Sequence, residues 1–232
     1  MVLTLPIRSI QQATPRARSV VLDLDAHSFE YRAGQAVLIA RHGEPRRRPY
    51  SLCGAPEDAR RERALELLVG TEPSDASAPH FVPEIHHLVD VEGPTGSFTF
   101  PSDPDERRFL FIAGGTGIAP LRAMLRHTLV IPHRSIGLFY SARTPDDFAY
   151  ADQFRALAAG GRIELTETVT RRSADEWTGA RGRINRHSLA DLVHDPATLC
   201  FVCGPPAMVA EVPALLEEIG VAPTRINVEK YG

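Results

Sequence analysis

Four short stretches of this chain carry residue types that can do chemistry. The first, Arg48-Pro49-Tyr50-Ser51, sets a fixed cation, a flat ring and a hydroxyl within four residues. An arginine fork binds phosphate, a tyrosine ring stacks on another flat ring, and a serine hydrogen-bonds a ring nitrogen. On an extended segment Arg48 and Tyr50 share a face, with Ser51 opposite unless the strand bends. The same residues also read as a charged run, Arg46 to Arg48, ahead of an edge strand. The second stretch is Gly114-Gly115-Thr116-Gly117. It follows the apolar run Phe109–Ala113 and precedes Pro120, Leu121, Met124 and Leu125 at helical spacing, so a strand, a tight turn and a helix start are expected. Such a turn lets backbone approach a ligand, and the helix start offers N–H groups and positive dipole to a phosphate. A plain turn explains the same glycines.

The third stretch, Cys200 to Met208, contains Cys200-Phe201-Val202-Cys203 followed by Gly204-Pro205-Pro206. On a strand the odd separation sends the two cysteines to opposite faces. That argues against a redox dithiol or half a metal site, and no second pair of this spacing exists. Cys200 is then core, and Cys203 sits at the carboxyl end of a strand, where open α/β sheets bind ligands. The fourth stretch is the tail, Arg225 to Gly232, which alternates like a strand with Ile226 and Val228 on one face. Gly93-Pro94-Thr95-Gly96-Ser97-Phe98 reads as a turn closing a strand.

The elements that must position these residues fall into two kinds. Up to about residue 100 the chain reads as short strands (2–10, 19–24, 36–40, 65–69 and 88–91) separated by turn-rich segments, which suggests an antiparallel barrel or sandwich. After the polar break Phe100 to Arg108, apolar strands (109–113, 136–140, 162–169 and 198–203) alternate with helical stretches (119–128, 146–159, 186–193 and 206–219). That alternation implies a parallel sheet covered on both faces. The expected fold is therefore two domains, an antiparallel β-barrel over 1–103 and an α/β parallel-sheet domain over 104–232.

Composition narrows the partners. The 232 residues are 43% hydrophobic and 24% charged, with a formal net charge of −3. That balance fits a globular chain and argues against a nucleic-acid-coating surface. Lys230 is the only lysine. No apolar run approaches the roughly 20 residues that span a bilayer, and the start lacks signal-peptide character, so a cytoplasmic protein without membrane partner is expected. Cys53, Cys200 and Cys203 are too few for a disulfide scaffold or for an all-cysteine iron–sulfur cluster, which takes four thiolates. His80, His86 and His87 lack metal-site spacing, and no metal is expected.

Taken in order, Arg-x-Tyr-Ser, Gly-Pro-x-Gly, Gly-Gly-Thr-Gly-Ile-Ala-Pro, Cys-Gly-Pro-Pro-x-Met and a terminal Val-Glu-x-Tyr form a series. It resembles the ferredoxin–NADP(+) reductase family of flavoproteins, in particular its single-chain bacterial oxygenase-reductase and ferredoxin-reductase members. The resemblance implies a flavin-binding barrel followed by a nicotinamide-nucleotide domain. Arg48 would hold the flavin phosphates, Pro49 and Tyr50 would line the ring with Tyr50 stacked on it, and Ser51 would hydrogen-bond near flavin N5. Gly114, Gly115, Thr116 and Gly117 would cradle the dinucleotide pyrophosphate. Cys203 and Gly204, with Pro205 and Met208, would line the nicotinamide pocket. Tyr231 would cover the flavin face, and Glu229 would partner Ser51 and Cys203 as a proton relay. Ser51, Cys203, Glu229 and Tyr231 are thus the implied catalytic set.

The implied cofactor is FAD in preference to FMN, with NADPH or NADH as the reductant and a slight lean to NADPH. Arg143 and Arg171 stand where an adenosine 2′-phosphate would lie in the family. Ser77 is the implied phosphate contact, although the glycine usual before it is missing. With no ferredoxin domain attached, the acceptor would be a separate protein, a ferredoxin or an oxygenase component, and the chain a monomer. Arg16, Arg18, Arg46 and Arg47 form a candidate basic rim for it. The rival readings are a reductase using free flavin as substrate and a non-catalytic electron-transfer component of a larger complex.

Overall fold

The computed structural model describes residues 2–71, 83–171 and 177–230, and two six-stranded sheets organise them. The first sheet contains β1 (Val2–Thr14), β2 (Ala17–Asp23), β3 (Ala36–Arg41), β4 (Arg48–Ser51), β5 (Ala64–Gly70) and β6 (Leu88–Thr95). Its order is β4-β3-β6-β1-β2-β5, and all pairings are antiparallel. The two edges meet beyond the end of β4. Leu52 bridges Leu67, and the Cys53 amide donates to the Glu66 carbonyl at 2.8 Å. The sheet therefore closes as a barrel, which removes its open edges. Leu5, Ile7, Val20, Leu22, Val37, Ile39, Leu65 and Leu67 fill the inside, the inward half of each strand's two-residue alternation.

One helix here does not follow from periodicity. The segment α1 (Pro56–Glu62) is charged along most of its length and shows no apolar stripe. Its ends supply the reasons it forms. Pro56 occupies the first turn, Glu57 and Asp58 face the positive end of the dipole, and Arg60 and Arg61 face the negative end. The Gly-Pro stretch also differs from expectation. Gly93 to Thr95 continue β6, and the turn begins at Gly96, with φ of 96°.

The second sheet is parallel, in the order β10-β9-β8-β7-β11-β12. Its members are β7 (Arg108–Gly114), β8 (Ser135–Ala142), β9 (Glu164–Val169), the two-residue β10 (Ala180–Arg181), β11 (Leu199–Gly204) and β12 (Ile226–Lys230). Alternation along β7 and β11 splits two cores. Phe109, Phe111, Ala113, Phe201 and Cys203 face α2 (Ile118–Thr128) and α3 (Ala151–Ala159). Leu110, Ile112, Cys200 and Val202 face α4 (Arg186–Ala190) and α5 (Pro206–Glu218). The two cysteines do take opposite faces. Helix α3 starts later than the residue pattern suggests. Pro145–Asp147 forms a separate 3-10 turn, Phe148 and Ala149 drop into the core, and Tyr150 turns at φ of 61° before the helix begins.

The core on the α2 side is shared with the barrel. It takes in Ala17, Ala33, Cys53, Leu68, Phe98 and Phe100. Phe100 stacks on Phe201 with ring centroids 5.5 Å apart and lies 5.1 Å from Phe109. Apolar area removed from water at such a junction stabilises by roughly 25 cal/mol per Å². Among the described residues no helix is long and apolar enough to cross a membrane.

Candidate functional site

One end of the barrel and the carboxyl edge of the parallel sheet border a cavity of about 370 Å³, lined by Ser97, Phe98, Asn227, Val228, Glu229 and Lys230. Of the predicted residues Glu229 lines it, and strand pairing relates Ser51 and Cys203 to its two sides. Ser51 pairs with Ala36, Ala36 pairs with Thr95, and Ser97 stands two residues further on. Across the cavity Cys203 pairs with Glu229 on one side and Ala113 on the other. The Cys203 thiol lies 3.9 Å from Glu229 Oε2. Burial pushes the thiol up, and the neighbouring carboxylate pushes it further. Burial also raises Glu229, against the opposing hydrogen bond from the thiol. Cys203 is thus a neutral, weak donor rather than a nucleophile.

The glycine turn and the Cys203–Met208 segment are locked to each other. A Cβ on Gly117 would fall 2.3 Å from the Cys203 carbonyl oxygen. One on Gly114 would fall 2.7 Å from Met208 Sδ and 2.8 Å from Pro205, and one on Gly204 would fall 2.6 Å from Met208 Cε. Gly117 is required where its backbone meets the Cys203 backbone, whereas at Gly114 and Gly204 an added carbon would press on the Met208 and Pro205 side chains. Gly115 is different, with φ of 55° and a half-buried position. Its carbonyl accepts a hydrogen bond from the buried Tyr140 hydroxyl at 3.1 Å. Gly115 and the half-buried Thr116 are the residues of the turn that remain presented ahead of α2.

On β4, Arg48, Tyr50 and Ser51 are half-buried and Pro49 is exposed. Burial raises the Tyr50 hydroxyl, with Arg48 opposing. Beside them Arg47 Nε is buried with no hydrogen-bond partner among the described residues. At the far side of the sheet Arg143 and Arg171 are exposed neighbours past the ends of β8 and β9, joined by a 3.0 Å bond from the Arg171 amide to the Arg143 carbonyl. Neither guanidinium has a hydrogen bond or ion pair among the described residues. Ser77 and Tyr231 lie outside the described residues.

The proposed rim of arginines does not stand as four equal cations. Arg16 is half-buried and ion-paired with Asp147, which ties the barrel to the second sheet. Arg47 pairs with Glu92 at 3.3 Å. Sequence reasoning missed a buried cation in the same contact zone. Arg122 on α2 is only 8% exposed and pairs with Glu66 of β5 at 2.6 Å. The signal was available: Arg122 is the one charge in Ile118–Leu125, an otherwise apolar run that is buried throughout.

These features fit a planar, phosphate-bearing cofactor. The cavity is of ligand size, the buried Arg47 Nε has no hydrogen-bond partner among the described residues, and a half-buried tyrosine offers a ring face. Comparison with known proteins agrees. Residues 111–213 match the oxidoreductase NAD-binding domain family. Ferredoxin–NADP reductase B of Sorangium cellulosum is 31% identical over 240 residues, which covers 96% of this chain and 95% of that one. The oxidoreductase NAD-binding domain-containing protein 1 of Danio rerio is 29% identical over 233 residues, which covers 90% of this chain and 84% of that one. The structure of a cytochrome P450 reductase from Amycolatopsis superposes with a TM-score of 0.83 at 25% identity, covering 99% of this chain and 69% of that one. With sequence likeness along nearly its whole length and this barrel-plus-sheet architecture, the chain belongs to the ferredoxin–NADP reductase family of flavoproteins.

Proposed function

We propose that this chain is an NAD(P)H-dependent flavoprotein reductase that loads reducing equivalents onto FAD and passes them to a separate protein. The single observation that carries the reading is the cavity between barrel and sheet, with Ser97 and Phe98 past β6 on one side and Glu229, paired with Cys203, on the other. FAD bound there would supply the hydride-accepting and one-electron-releasing chemistry that the protein itself lacks. The protein's part is to bring the two rings together, an effect that lowers the barrier by several kcal/mol.

Arg48 would hold the flavin phosphates, Tyr50 and Pro49 would bound the ring, and the Ser51 hydroxyl would serve the N5 end. Gly115 and Thr116, backed by the start of α2, receive the nicotinamide pyrophosphate. Gly114, Gly117, Gly204, Pro205 and Met208 keep that turn and the Cys203 segment in fixed register. Cys203 and Glu229 stand at the nicotinamide end, where Glu229, raised by burial, can hold and return a proton. Arg143 and Arg171, two cations with no partner among the described residues, favour NADPH through its 2′-phosphate. The boundary between the two units falls after residue 103. The acceptor is a ferredoxin or an oxygenase component, a reading supported by the Sorangium relative, a ferredoxin–NADP reductase, and by the Amycolatopsis one, a cytochrome P450 reductase, and it meets a monomer.

The test is direct. Protein purified from cells should stay yellow through gel filtration, release FAD on denaturation, and bleach on rapid mixing with NADPH faster than with NADH. Colour lost on the column, with turnover restored by added flavin, would point to a reductase of free flavin. Retained flavin that neither nucleotide bleaches would defeat the enzyme reading.

A further inference from the structure

The buried arginine of α2 has more partners than docking requires. Arg122 Nη1 donates to the Cys53 carbonyl at 3.0 Å and to Glu66 Oε2 at 2.6 Å. Its Nε donates to Gln153 Oε1 at 2.8 Å, and its guanidinium carbon lies 4.0 Å from the centroid of the Tyr150 ring. Ser19 donates to the other Glu66 oxygen at 2.9 Å. One side chain thus grips the barrel at Cys53 and Glu66 and the second unit at Tyr150 and Gln153.

The grip falls at a telling place. Cys53 and Glu66 are the residues whose backbones close the barrel, and Cys53 stands two residues past Ser51. Arg122 stands six residues past Thr116, about 9 Å along a helix. We propose that Arg122 is a positioning residue: by joining the barrel's closure point to the helix behind the glycine turn, it sets the spacing between the ring held by Arg48–Ser51 and the ring brought in at Gly115–Thr116. The inference rests on the hydride-transfer reading above.

Other contacts join the same surfaces without this property. Arg126 pairs with Asp58 on α1, and His127 lies 2.9 Å from Glu57. Asp58 reaches the chain past β4 only at the Ala55 amide, beyond the closure point at Cys53, and neither Arg126 nor His127 donates to the Cys53 carbonyl as Arg122 does. Phe98 and Phe100 supply apolar docking at a different point. A buried ion pair is weak evidence for stability, because desolvation offsets the attraction. A fixed fork with four partners, drawn from β5, the start of α3 and the residue past Leu52, instead specifies one arrangement. Lysine at this position would keep the charge and lose the fork.

The experiment compares Arg122→Lys with Arg126→Gln in the flavin-loaded protein. Three quantities are read on mixing with NADPH: the limiting bleaching rate, the nucleotide concentration giving half that rate, and the long-wavelength absorbance of nicotinamide stacked on flavin. Arg122→Lys should retain flavin, hold half-saturation within about twofold, and lose the long-wavelength band. Its limiting rate should fall about 10- to 100-fold, the scale expected for an ångström of misplacement. Arg126→Gln, which loosens docking elsewhere, should keep both rate and band. A wild-type band and rate in Arg122→Lys, or equal losses in both variants, would overturn the proposal. If Arg122→Lys cannot hold flavin, Glu66→Gln decides: it should lower rate and band without raising half-saturation, and unchanged values would count against the clasp. A wild-type protein that fails to bleach sinks the parent reading instead, so the two failures are distinguishable.

Discussion

The two sides of the candidate site are held by different means. On the sheet side, the turn at Gly114–Gly117 and the segment Cys203–Met208 fix each other by backbone contact, with no room for a single added carbon at Gly117. On the barrel side, Arg48–Ser51 lies on a short strand paired with β3, half-buried except at Pro49, and is anchored beyond its end by polar contacts at Cys53. At Gly117 the first arrangement tolerates almost no movement, because there only backbone lies against the added atom. The second depends on a side chain lent by the other unit and can shift by small amounts. Substitutions on the sheet side should therefore damage the fold, whereas those on the barrel side and the rim should change rates or selectivity in a protein that still folds.

The largest expected effect tests the first half of that contrast. Gly117→Ala places a methyl against the Cys203 carbonyl and should destabilise by roughly 3 kcal/mol, read as a lowered denaturant midpoint with unchanged slope. Gly115→Asn is the counterpart. Asparagine accepts the left-handed conformation, so stability should fall by less than about 1 kcal/mol while NADPH half-saturation rises. If Gly115→Asn proved the more destabilising of the two, the division into packing and presenting glycines would be wrong.

Selectivity and rate come next. Exchanging Arg143 and Arg171 together for glutamate should cut the NADPH-over-NADH preference about 30-fold, since a hydrogen bond to a charged group contributes roughly 2 kcal/mol. A preference left intact would remove those two cations from the site. Glu229 gives a smaller effect with a definite sign. Its carboxyl is raised by burial, so it keeps its proton to higher pH than an exposed glutamate. Bleaching should slow about tenfold as pH climbs through that raised value and the donor is lost. Glu229→Gln, which keeps a neutral donor, should show a flat profile, and a retained slope would assign the titration to another group.

Much of this was legible because period and punctuation are local. The odd separation of Cys200 and Cys203 sends them to opposite sheet faces as read, and the glycines after the apolar run Phe109–Ala113 mark the turn. What the residues could not display was tertiary demand. The two functions of the glycines divide only when the Cys203–Met208 segment comes against them. Helix α1 forms through end charges and a starting proline, without an apolar stripe. Arg16 resembles any exposed arginine until Asp147, 131 residues away, meets it across the interface. Arg122 was visible as a charge on an apolar face, but its partners come from β5, α3 and the residue past Leu52, an assembly no local pattern encodes.

The smallest effect probes the polar contacts that leave the clasp untouched. Burial acts to raise the Asp58 carboxyl, but hydrogen bonds and charge from Arg126, with Arg61 and the Ala55 amide, outweigh it and hold the group at about 2 against an ordinary 3.8. The folded state therefore keeps this carboxylate ionised after the unfolded chain has taken up its proton. The stabilisation is complete above about pH 4 and is lost as pH falls to about 2. Asp58→Asn should lower stability modestly at neutral pH and shrink the stability difference from wild type as the solution is acidified through that window. Because Arg122 does not contact Asp58, the variant should leave the limiting bleaching rate at neutral pH within about twofold of wild type. A stability difference that stays constant from about pH 5 to about pH 2, measured by thermal melts, would mean that Asp58 and Arg126 contribute nothing through charge. A rate that fell with it would mean that docking in general, rather than the grip at Cys53, sets the geometry of the site.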